Sequence, residues 1–465
     1  MNSPSLFDEF PQVSSKQWKQ KIQYDLKGAD YNETLVWESL EGIKVKPYYH
    51  SEDLENLKSF QPIVPSEWKI GQPIYAGNFS LANKKAIDSL ERGAESLVFT
   101  IPGQDLDVAT LFQGIDLSEH PLHLNFETLD KNVIQEFLEF LKGKSSSVYF
   151  HIDLIGHLGK TGNWYQNLEK DHQLLEEVYA MVSNYKNCCV LSVAISHYQN
   201  SGANMVQQLA YGLAHANEYL NHFSNTTSTS SSESLPITFK VSVGSNYFFE
   251  IAKLRALRWL WQTLAQTYGI SSDCHILAFP TQRNKTLYDY NVNMLRSTSE
   301  CMSAVLGGAD TILNQAYDAI YHKDNEFGDR IARNQLLLLK DESYFGEGAK
   351  AAGGAYYVES LTQQLAEKAL ALFKQIESSG GFLNELKKGN IQRKIKESAD
   401  KEQGLFDDGN IVLLGTNKFQ NPQDRMKVDM ELYPFVKTHA RKTLIEPIIA
   451  RRLAEQMEIK RLDDE

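Results

Sequence analysis

The 465-residue chain is 42% hydrophobic and 23% charged, the balance of a folded protein with ample material for a large core. Its formal charge of −12 excludes nonspecific nucleic-acid binding, which needs a basic surface to displace counterions from phosphate. The N-terminus has neither the basic nor the apolar region of a secretory signal, and no apolar run approaches the ~18 residues of a membrane span, so a cytoplasmic protein is expected.

The first segment, 1–70, reads as an arm. SSKQWKQKIQYDLKG carries a Ser cap candidate and stops at Gly28; LVWESLEGIKVKPYY alternates about Glu41-Gly42 as a hairpin does. From 71 to 360, short apolar runs alternate with helical stretches. The strand candidates are ESLVFTI (95–101), PLHLNFE (121–127), SVYFHIDLI (147–155), VLSVAIS (190–196), ITFKVSVG (237–244), CHILAFP (274–280) and ADTILN (309–314), with AYYVE (355–359) as an eighth. Twice a helix closes with Gly-Ala-acid before a strand, at 92–96 and 307–311. This spacing predicts an α/β (β/α)8 barrel, with a doubly wound sheet as the alternative. The Ser/Thr-rich stretch 221–236 joins a helix to the fifth strand candidate, which places it at the barrel bottom as a surface loop without catalytic duty. The segment 361–465 reads as a charged helical extension, its last helix spanning IEPIIARRLAEQMEIKRL.

Candidate chemistry is sparse. Cys188, Cys189, Cys274 and Cys301 form no C-x-x-C and read as free thiols in a reduced compartment, with no zinc site. GHLGKTG (156–162) lacks the glycine a phosphate loop needs at position 154, which is Leu, and reads as a loop after a strand. His151 and Asp153 share a strand face, with His157 just beyond; the spacing suits a metal, an acid–base pair or a structural His–Asp hydrogen bond. The polar run 195–200 should face the barrel mouth, as ligand contact or as a satisfied loop, and Gly353-Gly354 suits either close backbone approach or a turn. In SNYFFEIAKLRALRWLWQ (245–262), Glu250 and Lys253 fall inside the apolar arc of a helical wheel, while Arg255, Arg258 and Gln262 take the remaining face. Two charges in an apolar arc are a site or a scaffold.

Several strings in order resemble the methylmalonyl-CoA mutase family: LEGIKVKPYY (40–49), Tyr75-Ala76-Gly77, FEIAKLRALR (249–258), Arg330-Ile331-Ala332-Arg333-Asn334, Gly353 to Glu359, and Ile445-Glu446-Pro447 with Arg451 to Glu455. The resemblance covers nearly the whole chain. It implies a barrel threaded by an acyl-CoA, and methylmalonyl-CoA/succinyl-CoA interconversion by a radical that adenosylcobalamin supplies. The chain departs from the catalytic pattern. The segment before Tyr75 is short, and Gln199 stands where the family's active-site histidine aligns. The sixth-strand histidine motif becomes His275 to Gln282, and Lys350-Ala351 replaces Asp-Pro. Asp273-Cys274-His275 opens like the cobalamin-ligating D-x-H-x-x-G, but position 278 is Ala.

The resemblance therefore points to the small, non-catalytic subunit, lacking a cobalamin domain and inactive alone. It would pair with the catalytic large subunit as a heterodimer, a homodimer being the form open to the isolated chain. Cobalamin would belong to the holoenzyme through the partner. The alternatives are a split acyl-CoA mutase chain using a separate B12 subunit, or a divergent acyl-CoA-binding module. The degenerate mouth candidates are Tyr75, His151, Asp153, Gln199 and His275. The resemblance further implies that Glu250 and Lys253 are an i, i+3 scaffold pair with Arg255 and Arg258 turned outward. The bulk of Phe279 and Tyr198 near the mouth predicts a plugged barrel centre.

Overall fold

The computed structural model describes residues 9–11, 13–55, 65–103, 107–185, 187–226, 235–347, 351–437 and 440–465. The arm forms as its sequence dictates. Ser14 and Gln17 make a capping box at the start of the helix Ser15–Asp25. Strand β1 (Trp37–Glu38) pairs antiparallel with β2 (Lys44–Val45) around Gly42, whose φ of 67° suits glycine. The Trp37 ring lies 5.9 Å from that of Phe249, which sets the hairpin against a barrel helix.

Eight parallel strands close into a barrel: β3 (Lys69–Tyr75), β4 (Ser96–Ile101), β5 (Leu122–Phe126), β6 (Val148–Ile152), β7 (Cys188–Val193), β8 (Ile237–Val243), β9 (Cys274–Pro280) and β10 (Thr311–Leu313), with β10 beside β3. Seven match the apolar runs of the sequence. The eighth is a correction. Residues 355–359 do not form a strand; Tyr356 starts a helix that runs to Ser378. The missing strand is KIGQPIY, whose Gly71 and Pro73 disguise it. Gly71 is required by close approach, because a Cβ there would stand 2.3 Å from Leu313 Cδ2. The two acids that precede strands stitch the barrel bottom. Glu95 accepts from Ile70 N (2.8 Å) and pairs with Lys340 (2.7 Å); Asp310 accepts from Ile276 N (2.6 Å) and pairs with Arg258 (2.7 Å).

The helix Tyr247–Tyr268 buries fourteen of its 22 residues, because the helix Tyr356–Ser378 covers its outer side. Arg255 and Arg258 are therefore buried, not turned to solvent, and are held by Glu359 (2.5 Å) and Asp310. Glu359 also accepts from Gly354 N (2.9 Å), so the double glycine is a turn tied to this wall. The segment 156–162 is not a loop either. It lies in the helix Leu154–Thr161, which Asp153 caps and Gly162 ends at φ 79°. Of the Ser/Thr-rich stretch, residues 227–234 lie outside the described ones.

The last expected helix is only half helical. Residues 455–463 form it, whereas 445–454 run as a strap. Pro447 disfavours helix at the residue before it, and the backbone bonds to the barrel instead. Leu444 N donates to Gly162 O (2.9 Å), Ile448 N to Gly159 O (2.8 Å), Arg451 N to Asn200 O (3.0 Å) and Leu453 N to Arg283 O (2.9 Å). Those carbonyls follow β6, β7 and β9, so the strap crosses the face where barrel active sites are built.

Candidate functional site

Alternate residues of a barrel strand face the lumen, and here they are unusually polar. His123 on β5 and His151 on β6 meet at 2.9 Å, Nδ1 to Nε2. His123 stacks on Tyr149 at 4.5 Å, Tyr149 packs on His275 of β9 at 4.1 Å, and His275 Nε2 reaches Thr311 Oγ1 at 3.1 Å. Burial drives the three imidazoles toward the neutral form. Those of His123 and His151 fall well below the ordinary value, helped by the charge of Lys240, and that of His275 is pushed down to about 3, helped by Arg258. This column fills the lower lumen. Tyr75, on the same face of β3 as Gly71, ends the strand and is 55% exposed. Lys240 of β8 crosses toward Asn125 of β5 and bonds its Oδ1 at 2.7 Å. Desolvation pushes the Lys240 ammonium down to about 8.

A second network sits where β7, β8 and β9 end. Lys253 Nζ lies 2.5 Å from Glu250 Oε2, 2.9 Å from Gln199 Oε1, 3.0 Å from Gln208 Oε1 and 2.8 Å from Ser242 O. The other Glu250 oxygen accepts from Gly244 N (2.8 Å) and Gln199 Nε2 (3.2 Å), and Ser242 Oγ donates to Gln199 Oε1 (3.0 Å). Burial lowers the Lys253 pKa, and the Glu250 carboxylate opposes it. The arm closes this network from outside. Glu41 accepts from Met205 N (3.2 Å), and burial holds its carboxyl above the usual range against its hydrogen bonds.

His151 and Asp153 do not bond each other. His151 turns into the lumen, while Asp153 accepts from Gly156 N, Ala194 N and Tyr219 Oη at 2.8–2.9 Å and lies 2.9 Å from His215 Nε2. Burial raises the Asp153 pKa, but His215 and the backbone donors outweigh it and hold the carboxyl below its ordinary range. His215 Nδ1 in turn meets Tyr198 Oη at 2.9 Å. This acid–imidazole–hydroxyl order is sealed in the helix layer, with Tyr198 packed edge-on against Tyr211, so Tyr198 is no plug of the barrel centre. His157 stacks on Tyr165 at 3.6 Å. Among the described residues no group of three or more His, Cys, Asp or Glu could hold a metal ion, and no helix is long and apolar enough to cross a membrane. All four cysteines are free thiols.

The structure thus gathers Tyr75 and His151 about the lumen, Gln199 into the mouth network and His275 into the lower column, and removes Asp153 to a structural role. Sequence reading missed His123, Asn125 and Lys240. Alternation in PLHLNFE and the lone charge in ITFKVSV would have flagged them. A cavity of about 710 Å³ opens between the hairpin and the mouth, lined by Trp37, Glu41, Gln199, Glu250, Arg283 and Glu402 among others. A smaller one of about 340 Å³ lies at the opposite face beside Arg258, where barrels build stability more than catalysis.

The cobalamin-ligand geometry does not fit. His275 is held in the lower lumen by Thr311 and Tyr149, facing away from the mouth face.

The family model for methylmalonyl-CoA mutase matches residues 67–460. The methylmalonyl-CoA mutase small subunit of Porphyromonas gingivalis is 34% identical over 447 residues, 90% of this chain and 71% of that protein. The methylmalonyl-CoA mutase of Cereibacter sphaeroides is 28% identical over 461 residues, 87% of this chain and 64% of that protein. The methylmalonyl-CoA mutase small subunit of Streptomyces virginiae is 27% identical over 422 residues, 84% of this chain and 68% of that protein. The chain therefore spans roughly two thirds of these relatives' own length.

Proposed function

The chain belongs to the methylmalonyl-CoA mutase family, and from that premise we propose that it acts as a small, non-catalytic subunit that pairs with a catalytic large subunit and stabilises it. The observation that carries this reading is the state of Gln199. The resemblance sets it where an active-site histidine aligns. Its amide oxygen is taken by Lys253 and Ser242, and its amide nitrogen by Glu250. An amide cannot serve as a general acid, and this one is fixed by three partners. The residues present do not suit ligation of adenosylcobalamin, with His275 held by Thr311 and Tyr149; in the complex the cofactor would belong to the partner subunit.

The arm supports the pairing. The helix Ser15–Asp25 buries none of its residues, and Trp18 and Tyr24 stand exposed on it. Trp18 meets Tyr48 edge-on at 6.3 Å yet stays half exposed, and apolar side chains left exposed on such a helix suit a surface covered by another chain.

Co-expression with a large mutase subunit, followed by sizing and an assay of methylmalonyl-CoA/succinyl-CoA interconversion, tests the reading. A heterodimer whose activity is indifferent to Tyr75→Phe is expected. Turnover by this chain with only a separate B12-binding protein, abolished by Tyr75→Phe, would overturn it.

A further inference from the structure

The arm encloses a hollow of its own. About 250 Å³ lies between the helix Ser15–Asp25, the short helix Tyr31–Leu35 and strand β2, lined by Ser15, Lys19, Tyr31, Lys44, Lys46 and Asp53 among others. None of its lining residues is shared with the mouth cavity.

Its charge is the inverse of the molecule's. The chain as a whole carries −12, whereas here three ammonium groups face one carboxylate. Asp53 is claimed by Lys46 at 2.6 Å. Lys19 and Lys44 have no carboxylate in ion-pair reach among the described residues; the Lys19 Nζ stands instead 4.7 Å over the Tyr31 ring. Asp30, just before Tyr31, accepts from Asn32 N (2.8 Å) and Glu33 N (2.9 Å). Lys44 and Lys46 are two residues apart along the hairpin, which sets them on one face. Like charges gathered in one hollow repel each other, and a bound anion relieves the repulsion.

Neutral groups complete and shape the lining. Tyr31 is 6% exposed; burial first, then Tyr48 and Asp53, raise its phenol pKa, so the hydroxyl stays a donor. No hydrogen bond among the described residues uses that hydroxyl. The Tyr48 hydroxyl, in contrast, donates to Ser15 O at 2.6 Å and pins the helix to the hairpin, so the hollow is formed before any ligand enters.

We infer that this arm hollow binds a phosphate group, with the Lys19 and Lys44 ammoniums as its counter-charges, Lys46 shared between the phosphate and Asp53, and the Tyr31 hydroxyl donating to a phosphate oxygen. Two uncompensated positive charges match a phosphate monoester, which carries close to two negative charges at neutral pH, and lysine serves phosphate as a point charge. A carboxylate brings only one. The volume admits a phosphate with a small organic body and no macromolecule. Lys19 belongs to the helix and Lys44 to the hairpin, so an occupant ties the two together. The inference does not rest on the subunit role.

The test is calorimetric titration of the full chain with sodium phosphate and with glycerol 3-phosphate, at constant ionic strength, with acetate and chloride as control arms. Saturable one-to-one binding of both phosphates is expected. Tighter binding of glycerol 3-phosphate identifies an esterified source and tighter binding of inorganic phosphate a free one; either supports the site. The double variant Lys19→Gln/Lys44→Gln should bind at least about tenfold more weakly, while Lys19→Arg/Lys44→Arg keeps most of the affinity. Both lysines are exposed, so these substitutions leave the fold intact. Amide exchange in the helix Ser15–Asp25 should slow with phosphate in the wild type and not in the Gln variant. No phosphate binding, unchanged binding in the Gln variant, or tighter binding of acetate, which would mark a seat for a protein carboxylate, would each overturn the assignment. Pairing with a large subunit is read separately by sizing, so either proposal can fail alone.

Discussion

The mouth and the lumen of this barrel both bury charge, with opposite outcomes. At the mouth, Lys253 sits among Glu250, Gln199, Gln208 and the Ser242 carbonyl, and Glu250 takes further donors from Gly244 and Gln199. In the lumen, Lys240 has one neutral partner, and the His123–His151 pair leaves ring nitrogens unmatched. Lys253 is fully buried and Lys240 partly so; what differs further is completion. A closed network fixes shape, since every partner is used, whereas an open one leaves polar groups unmatched. Finding charge in an apolar setting does not separate scaffold from site. Counting its partners does.

The largest effect should come from breaking the closed network. Lys253→Met would leave Glu250 buried without its cation, which costs about 3–5 kcal/mol. Urea unfolding of the isolated chain measures it. The double variant Glu250→Leu/Lys253→Met should recover much of the loss, because a buried pair replaced by apolar residues is often near neutral. If the double variant is no better than the single one, the pair is not the unit proposed here.

Asp153 extends the comparison to a third buried network. Asp153→Asn should cost about 2 kcal/mol, the scale of a charge-assisted hydrogen bond lost from His215 and the backbone donors. Its folded pKa lies below the unfolded one. The stabilisation is therefore fully present above the unfolded carboxylate value of about 4 and is lost as pH falls through the folded value. The substitution should flatten the acid limb of a stability–pH curve below about pH 4 and leave the curve above it parallel to the wild type.

Much of this was legible in the residues, for identifiable reasons. Seven strands announced themselves because their outward faces are apolar and their runs short and bounded, even where the lumen face is polar; β3 did not, since Gly71 serves close approach to Leu313 and Pro73 interrupts the pattern. The hairpin and its cap were readable because turn chemistry is local. A helical wheel placed Glu250 and Lys253 in the buried arc, but it set Arg255 and Arg258 outside. It cannot know that a second helix, Tyr356–Ser378, covers the outer face. His151 and Asp153 looked like partners because they are two residues apart. Their real partners lie on other elements, His123 at a separation of 28 residues from His151 and His215 on a helix far along the chain from Asp153, and only the folded barrel brings them together. The strap at 445–454 escaped notice because its bonds run to loops far away in sequence.

The gentlest probe discriminates lumen from mouth by pH alone. In the lumen, the folded pKa values of His123, His151 and His275 are all depressed, first by burial. An unfolded imidazole titrates near about 6.5, so above that pH both states are neutral and stability is unaffected. As pH falls below it, the unfolded chain takes up protons that the folded lumen refuses, and stability declines by at most about 1.4 kcal/mol per pH unit for each histidine. His123→Phe keeps the ring stacking on Tyr149 and removes one such group. Measured between pH 6.5 and 5, its stability should fall less steeply than that of the wild type, while the double variant Glu250→Leu/Lys253→Met, which leaves no unpaired carboxyl at the mouth, should keep the wild-type slope. A His123→Phe slope equal to the wild type would mean that the lumen imidazoles already accept protons in the folded state, which would make the lumen as self-sufficient in charge as the mouth.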